Sequence, residues 1–181
     1  MKGSGKEACY PETLKRVYLS LGSNLGNRRE NLERAIKLLQ ELPAQIEKLS
    51  KIYETRPLYF ESKNYFYNLV VKIRTFLSPL ALFLELKKIE FKMGRKKDLC
   101  LSDRPIDLDI VFYEDLRFSS AILKIPHPRA LERAFVVIPT LEIEPDLREP
   151  VTGKKLCEIK QEREKEYLKQ GIKALTEELK I

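Results

Sequence analysis

Tryptophan is absent from this chain of 181 residues, histidine occurs once and cysteine three times. Cys9, Cys100 and Cys157 are odd in number and far apart. No C-x-x-C pair joins them, so neither a zinc ribbon nor a dithiol redox centre can be read from them, and reduced thiols are expected. No apolar run approaches the roughly 20 residues a membrane helix needs. The opening MKGSGKEACYPET has no signal-peptide core, so no membrane association and a cytoplasmic location are expected. Repeats and linker-like stretches are also missing. Residues 1–181 therefore read as one domain, with 1–15 as a loose N-terminus and 154–181 as a helical tail.

Hydrophobic residues make 43% of the chain and charged residues 34%, enough apolar content for a core and too much for disorder. The net charge of +7 favours a polyanionic partner: nucleic acid, acidic lipid or a small phosphorylated ligand. Charge alone does not choose among them.

Val17 to Leu21 (VYLSL) reads as a buried strand that runs into the turn GSNLGN. That turn lacks the G-K-[ST] ending of a phosphate-binding P-loop and the G-x-G-x-x-G spacing, so plain turn chemistry is the stronger reading. Leu32, Ala35, Ile36 and Leu39 recur at helical spacing, with Asn27 as N-cap and Pro43 just past the end. Ile46 to Tyr53 is a second strand candidate, ETRPLYFESKNY a connecting loop, and Tyr65 to Thr75 a strand rich in aromatic and β-branched residues. Ser78 and Pro79 open a helix that runs to about Met93 and ends at Gly94. After the basic loop GRKKDLCLSDR, Ile106 to Tyr113 reads as strand; Ile122 to Ile125 and Phe135 to Ile138 are further strand candidates. The order strand, helix, strand, strand, helix, strand predicts an α+β, ferredoxin-like antiparallel sheet with helices packed on its faces, plus a C-terminal extension.

Residues two apart in a strand share a face, so Asp107 and Asp109 point the same way, opposite Leu108 and Ile110. Two like charges among apolar neighbours are costly unless a cation neutralises them. Magnesium suits such hard oxygen ligands. An isolated D-x-D is more often the solvated face of a strand, but basic residues crowd this one: Arg95, Lys96, Lys97 and Arg104 before it, His127, Arg129 and Arg133 after it. Cations beside a metal site are what a polyphosphate requires. Judged alone, His127 is a lone histidine with a structural reading, and Phe66, Asn68 and Phe135 are ordinary core residues. Together the two rings and the amide could sandwich and hydrogen-bond a flat heterocycle.

In this order, LSLGSNLGNRRENLERA, YETRPL, NYFYNLVV, MGRKK, RPIDLDIVFY, IPHPRALERAF and PTLEIEPDL resemble 6-hydroxymethyl-7,8-dihydropterin pyrophosphokinase of folate biosynthesis. The resemblance spans about Val17 to Leu147 and implies a ferredoxin-like fold. It implies an ATP-dependent transfer of diphosphate to the pterin's hydroxymethyl oxygen, with AMP released. Asp107 and Asp109 would bind two magnesium ions. Arg95 and Lys97 would act in catalysis from a loop that closes over ATP, and Lys87, Glu90, Arg104, Ile110, His127 and Arg133 would join them around the nucleotide. Phe66 and Phe135 would stack on the pterin, Asn68 would read its polar edge, and Thr55, Pro57 and Leu58 would line its pocket. The resemblance offers no general base. Where the family commonly has a basic residue, Gly or Ala, and then Pro before the arginine, this chain reads Cys100, Leu101, Ser102, Asp103, Arg104. Small-molecule substrates, no nucleic acid, and a monomer or weak dimer are expected.

Two rival readings stand beside this one. Basic ferredoxin-like sheets with exposed aromatics also bind RNA, although the Gly-aromatic strand pattern is absent here and the aspartates would repel phosphate without a metal. An inactive relative that only binds pterin or nucleotide is the second.

Overall fold

In the computed structural model, residues 13–96, 102–176 and 179 are described. The chain runs β1 (Lys15–Ser23), α1 (Arg28–Gln40), β2 (Ala44–Leu49), β3 (Tyr53–Thr55), β4 (Phe66–Thr75), α2 (Pro79–Lys92) and β5 (Asp107–Tyr113). The two-residue strands β6 (Phe118–Ser119) and β7 (Lys124–Ile125) follow, then a 3-10 turn (Ala130–Glu132), α3 (Ala134–Ile143), α4 (Leu156–Glu162), α5 (Glu164–Lys169) and β8 (Lys173–Ala174).

The main sheet is ordered β5-β1-β4-β3-β8, with β2 also paired to β4, and every pairing in it is antiparallel. Strand alternation divides its side chains between two cores. Val17, Leu19 and Leu21 of β1 and Leu108 and Ile110 of β5 meet Leu32 and Leu39 of α1 and Leu82 and Leu86 of α2. On the other face Tyr18, Val70 and Phe112 meet Val136 and Ile143 of α3 and Leu156 and Ile159 of α4. Both long helices start where the sequence signals predict. The Asn27 side chain accepts from the Glu30 amide at 3.3 Å, and Ser78 Oγ accepts from the Ala81 amide at 3.3 Å with Pro79 in the first turn.

Three expectations are corrected. The strand read as Ile46 to Tyr53 is broken into β2 and β3, because Ser50 Oγ takes the Val70 amide at 2.9 Å and so uses a side chain where the ladder would use a carbonyl. Ile122 to Ile125 yields only β7, paired with β6. Phe135 to Ile138 is helix, part of α3, not strand. Its β-branched run is buried on two sides, Val136 toward the sheet and Val137 toward Tyr167, and an all-apolar run carries no period that separates helix from strand.

Candidate active site

A row across three strands sets the frame. Gly22 of β1 lies opposite Asp107 of β5 on one side and Asn68 of β4 on the other, and Ser20 lies opposite Asp109. Adjacent strands are about 4.8 Å apart, so Asp107 and Asn68 stand roughly 10 Å from each other with the bare glycine between them. A β-carbon at Gly22 would sit 2.9 Å from Asn68 Oδ1 and 3.6 Å from the Phe66 ring, so only glycine leaves both in place. Above this row opens a cavity of about 240 Å³.

One wall is charged. Asp107 pairs with Arg95 and, at 3.1 Å, with Arg104. Asp109 is held more loosely, 3.5 Å from Arg133 and 3.8 Å from His127 Nε2. Burial alone would raise the Asp107 pKa, but the charges of Arg104, Arg95 and Lys87 outweigh it and hold the carboxyl below the usual range. Asp107 is thus an anion at neutral pH. At His127, burial pushes the pKa below the ordinary imidazole value; Asp109 opposes the shift and Arg133 adds to it. Its Nδ1 accepts from the Arg129 amide at 3.1 Å, which leaves the neutral ring's proton on Nε2, toward Asp109. The His127 amide in turn donates to the carbonyl of Val111, the extra residue of a β-bulge where β1 pairing steps from Phe112 to Ile110.

Behind this wall lies Glu90 of α2, 4% exposed. One of its oxygens accepts from the Leu108 amide at 2.7 Å, from Lys87 at 2.8 Å and from Arg95 at 2.7 Å. It therefore ties the helix to the outer edge of β5 and aims both cations. Burial raises its pKa, with Lys87 and Arg95 pulling against that.

The other wall is aromatic. Phe66 opens β4 and meets Phe60 edge-on, ring centres 6.2 Å apart. Asn68, 3% exposed, donates to Thr55 Oγ1 at 2.8 Å, which fixes the amide plane. Phe135 stands at the start of α3. The two walls meet where arginines lie against rings: Arg104 is 5.2 Å from the Phe66 centre and Arg133 is 5.5 Å from that of Phe135.

Of the residues expected from sequence, Thr55, Leu58, Phe66, Asn68, Phe135, Lys87, Arg95, Arg104, Asp107, Asp109 and Arg133 line this one cavity. Glu90 stands behind it. Ile110 faces the α1 and α2 core with its side chain and is not part of the lining. His127 approaches it only through Asp109, and Pro57 is not part of the lining. Lys97, Cys100 and Leu101 lie outside the described residues. Sequence reasoning missed Ser20, Gly22, Arg56, Tyr59 and Phe60, and named Arg129 only as one of several cations. The signal for the first two was available: Ser20 and Gly22 are the small residues at alternate positions of an otherwise bulky strand, on the same face as the aspartates.

Six cationic side chains and two carboxylates line the cavity, which suits a ligand with several negative charges. The Nε atoms of Arg104 and Arg133 are buried and have no hydrogen-bond partner among the described residues, as donors awaiting an anion would be. No cluster of three or more His, Cys, Asp or Glu that could hold a metal occurs among the described residues. Asp107 and Asp109 are the two carboxylates that line the cavity. This fits magnesium, which takes one or two carboxylates and fills its shell with water and phosphate oxygen.

A family model for 7,8-dihydro-6-hydroxymethylpterin-pyrophosphokinase (HPPK) matches residues 18–145. The chain belongs to the HPPK family. It is 43% identical over 146 residues to 2-amino-4-hydroxy-6-hydroxymethyldihydropteridine pyrophosphokinase of Aquifex aeolicus, a match covering 81% of this chain and 91% of that one. The Bacillus subtilis pyrophosphokinase is 38% identical over 128 residues, covering 70% of this chain and 77% of that one. A folic acid synthesis protein of Pneumocystis carinii is 48% identical over 137 residues, but these are 76% of this chain and only 18% of the fungal protein. The HPPK-DHPS of Plasmodium falciparum superposes with a TM-score of 0.70 at 17% identity, over 92% of this chain and 45% of that one, so the fold is shared with part of a longer protein. The HPPK match spans β1 to α3 and so includes every residue named in the two walls.

Proposed function

We propose that this chain is a pyrophosphokinase that moves the β- and γ-phosphates of ATP, as one unit, onto the hydroxymethyl oxygen of 6-hydroxymethyl-7,8-dihydropterin. The alcohol oxygen attacks the β-phosphorus, the bond from that phosphorus to the bridging α,β-oxygen breaks, AMP leaves and the hydroxyl proton passes to solvent. One observation carries the reading: a single cavity joins a wall of carboxylates and guanidinium groups to a wall of rings and a fixed amide, about 10 Å apart.

Phe66 and Phe135 hold the pterin by its faces and Asn68, oriented by Thr55, reads its polar edge. Arg95, Arg104, Arg133 and Lys87 hold the phosphates and balance the charge that builds on the leaving oxygen. Asp107 and Asp109 hold magnesium, two ions by the resemblance, whose contribution when bound is to neutralise the triphosphate and polarise its oxygens. Lys97 belongs with the phosphate cations, as do His127 and the Ile110 backbone at the nucleotide's edge. Positioning and preorganised charge do most of the work, and no general base is required. The reaction belongs to folate biosynthesis in the cytoplasm and uses small-molecule substrates, without nucleic acid or membrane. Among the described residues no helix is long and apolar enough to cross a membrane. The chain acts as one domain, as a monomer or weak dimer.

The test is to mix the purified protein with ATP, magnesium and the pterin alcohol and follow AMP by chromatography. AMP that needs both the pterin and magnesium is expected. AMP formed without the pterin, or turnover that survives a chelator, would overturn the reading.

A further inference from the structure

Tyr59 and Phe60 line the cavity from residues 56–65, a connection with no helix or strand of its own. Such a segment holds a ring in place only if something outside it does the holding. Asp103 does not line the cavity, yet its carboxylate joins three separate parts of the chain. One oxygen accepts from Asn24 Nδ2 at 2.6 Å, in the turn after β1, and the other accepts from Asn64 Nδ2 at 2.5 Å. Within the loop, Ser62 Oγ accepts from the Asn64 backbone amide at 3.0 Å, which steadies the residue that Asp103 holds. Asn24, 2% exposed, then locks the neighbouring residue: its Oδ1 accepts from the Arg104 backbone amide at 2.8 Å and its backbone N–H donates to the Arg104 carbonyl at 3.2 Å. The base of the clasp is therefore rigid, fixed to β1 and to the backbone entering β5. The loop is the part that is held.

We propose that Asp103 is a positioning residue for the pterin side of the cavity, clamping the 56–65 loop so that Phe60 packs edge-on against Phe66 and Tyr59 closes the rim. A carboxylate suits this task because it has acceptor capacity on both oxygens and no donor, and so can hold side-chain amides from two different segments at once. Asp107, Asp109, Lys87 and Arg95 stand on β5, on α2 and just past its end, braced by Glu90 and not by this loop; Arg56 belongs to the loop, and Arg104, Arg129 and Arg133 meet it at the rings of Phe60 and Tyr59. Loss of the clasp thus separates the two ligands: pterin binding weakens while nucleotide binding stays. The ligand's identity rests on the function proposed above, whereas the clasp is read by binding and not by turnover.

The experiment is calorimetric titration of wild type and variants with 6-hydroxymethylpterin and, separately, with magnesium ATP. In Asp103→Ala the pterin Kd rises about fivefold to tenfold, the scale of one or two lost hydrogen bonds, and the ATP Kd stays within about twofold. Asp103→Asn, which keeps one acceptor oxygen, falls between. Asn64→Ala, at an exposed loop position, gives part of the same loss, and the double variant Asp103→Ala/Asn64→Ala is no worse than Asp103→Ala alone. An unchanged pterin Kd in Asp103→Ala, equal loss for both ligands, or additive losses in the double variant would each overturn the proposal. A wild type that binds both ligands yet forms no AMP would instead overturn the function and leave the clasp to be judged by its Kd values.

Discussion

The two walls of the cavity are built differently. The centre of the charged wall stands on regular elements: Asp107 and Asp109 on an edge strand, Lys87 on a capped helix and Arg95 just past its end, with buried Glu90 bracing the two cations against that strand, while Arg104 and Arg133 join from the residues just before β5 and α3. The aromatic wall is gathered from β3, β4, the start of α3 and an irregular loop. A wall that must hold charges against repulsion has its geometry fixed before ligand arrives, since reorganisation during reaction would waste the stabilisation. A wall that stacks on a flat ring is more tolerant, because dispersion depends on area more than on angle. The difference predicts that damage to the first appears in rate and damage to the second in pterin affinity.

The largest effect is expected from Asp107→Ala or Asp109→Ala. Turnover should fall by at least about 10²-fold, the scale of lost charge stabilisation at a reacting centre, while pterin affinity by calorimetry changes little. A comparable fall in pterin affinity would break the division between the walls. Next comes Glu90→Ala, which leaves Arg95, Lys87 and the Leu108 amide without their shared partner. Its cost is on the order of 3 kcal/mol, as for breaking other buried ion pairs, and is read as a lower denaturation midpoint together with a lower kcat. A variant as stable as wild type would show that Glu90 braces nothing. Phe135→Ala should weaken pterin binding by about 1 to 3 kcal/mol if stacking dominates, with ATP binding held. Gly22→Ala pushes a methyl against Asn68 Oδ1, and the displaced amide should raise the pterin Kd roughly tenfold, about 1.4 kcal/mol. Arg129→Ala is the mildest: its guanidinium is 4.5 Å from the Tyr59 ring centre at the rim, and its loss should cost about 0.5 to 1 kcal/mol of pterin affinity.

The same contrast explains what could be read in advance. Asp107 and Asp109 were legible because a strand's period of two puts them on one face whatever the rest of the fold does, and the two long helices were legible through Asn27, Ser78 and Pro79 at their starts. Phe66, Asn68 and Phe135 had no local signature of function; they could be grouped as two rings and an amide, but the resemblance supplied their roles, since they come from β4 and α3 and meet through tertiary packing. Phe135 carried the wrong local signal, a β-branched run that the two-sided burial of α3 overrode. Glu90 was named through the resemblance as a nucleotide residue, and no sequence pattern could show that its carboxylate turns inward to the Leu108 amide. Asp103 stood out only as a departure before Arg104. Its partners Asn24 and Asn64 lie 79 and 39 residues away, beyond any local pattern.

The central claim is that both walls act in one transfer, and phosphorus NMR of the reaction of ATP with the pterin alcohol tests it most directly. The account predicts AMP and a pterin carrying two linked phosphates in equal amounts from wild type, and neither from Asp109→Ala. ADP with a pterin monophosphate, or products unchanged in Asp109→Ala, would contradict it.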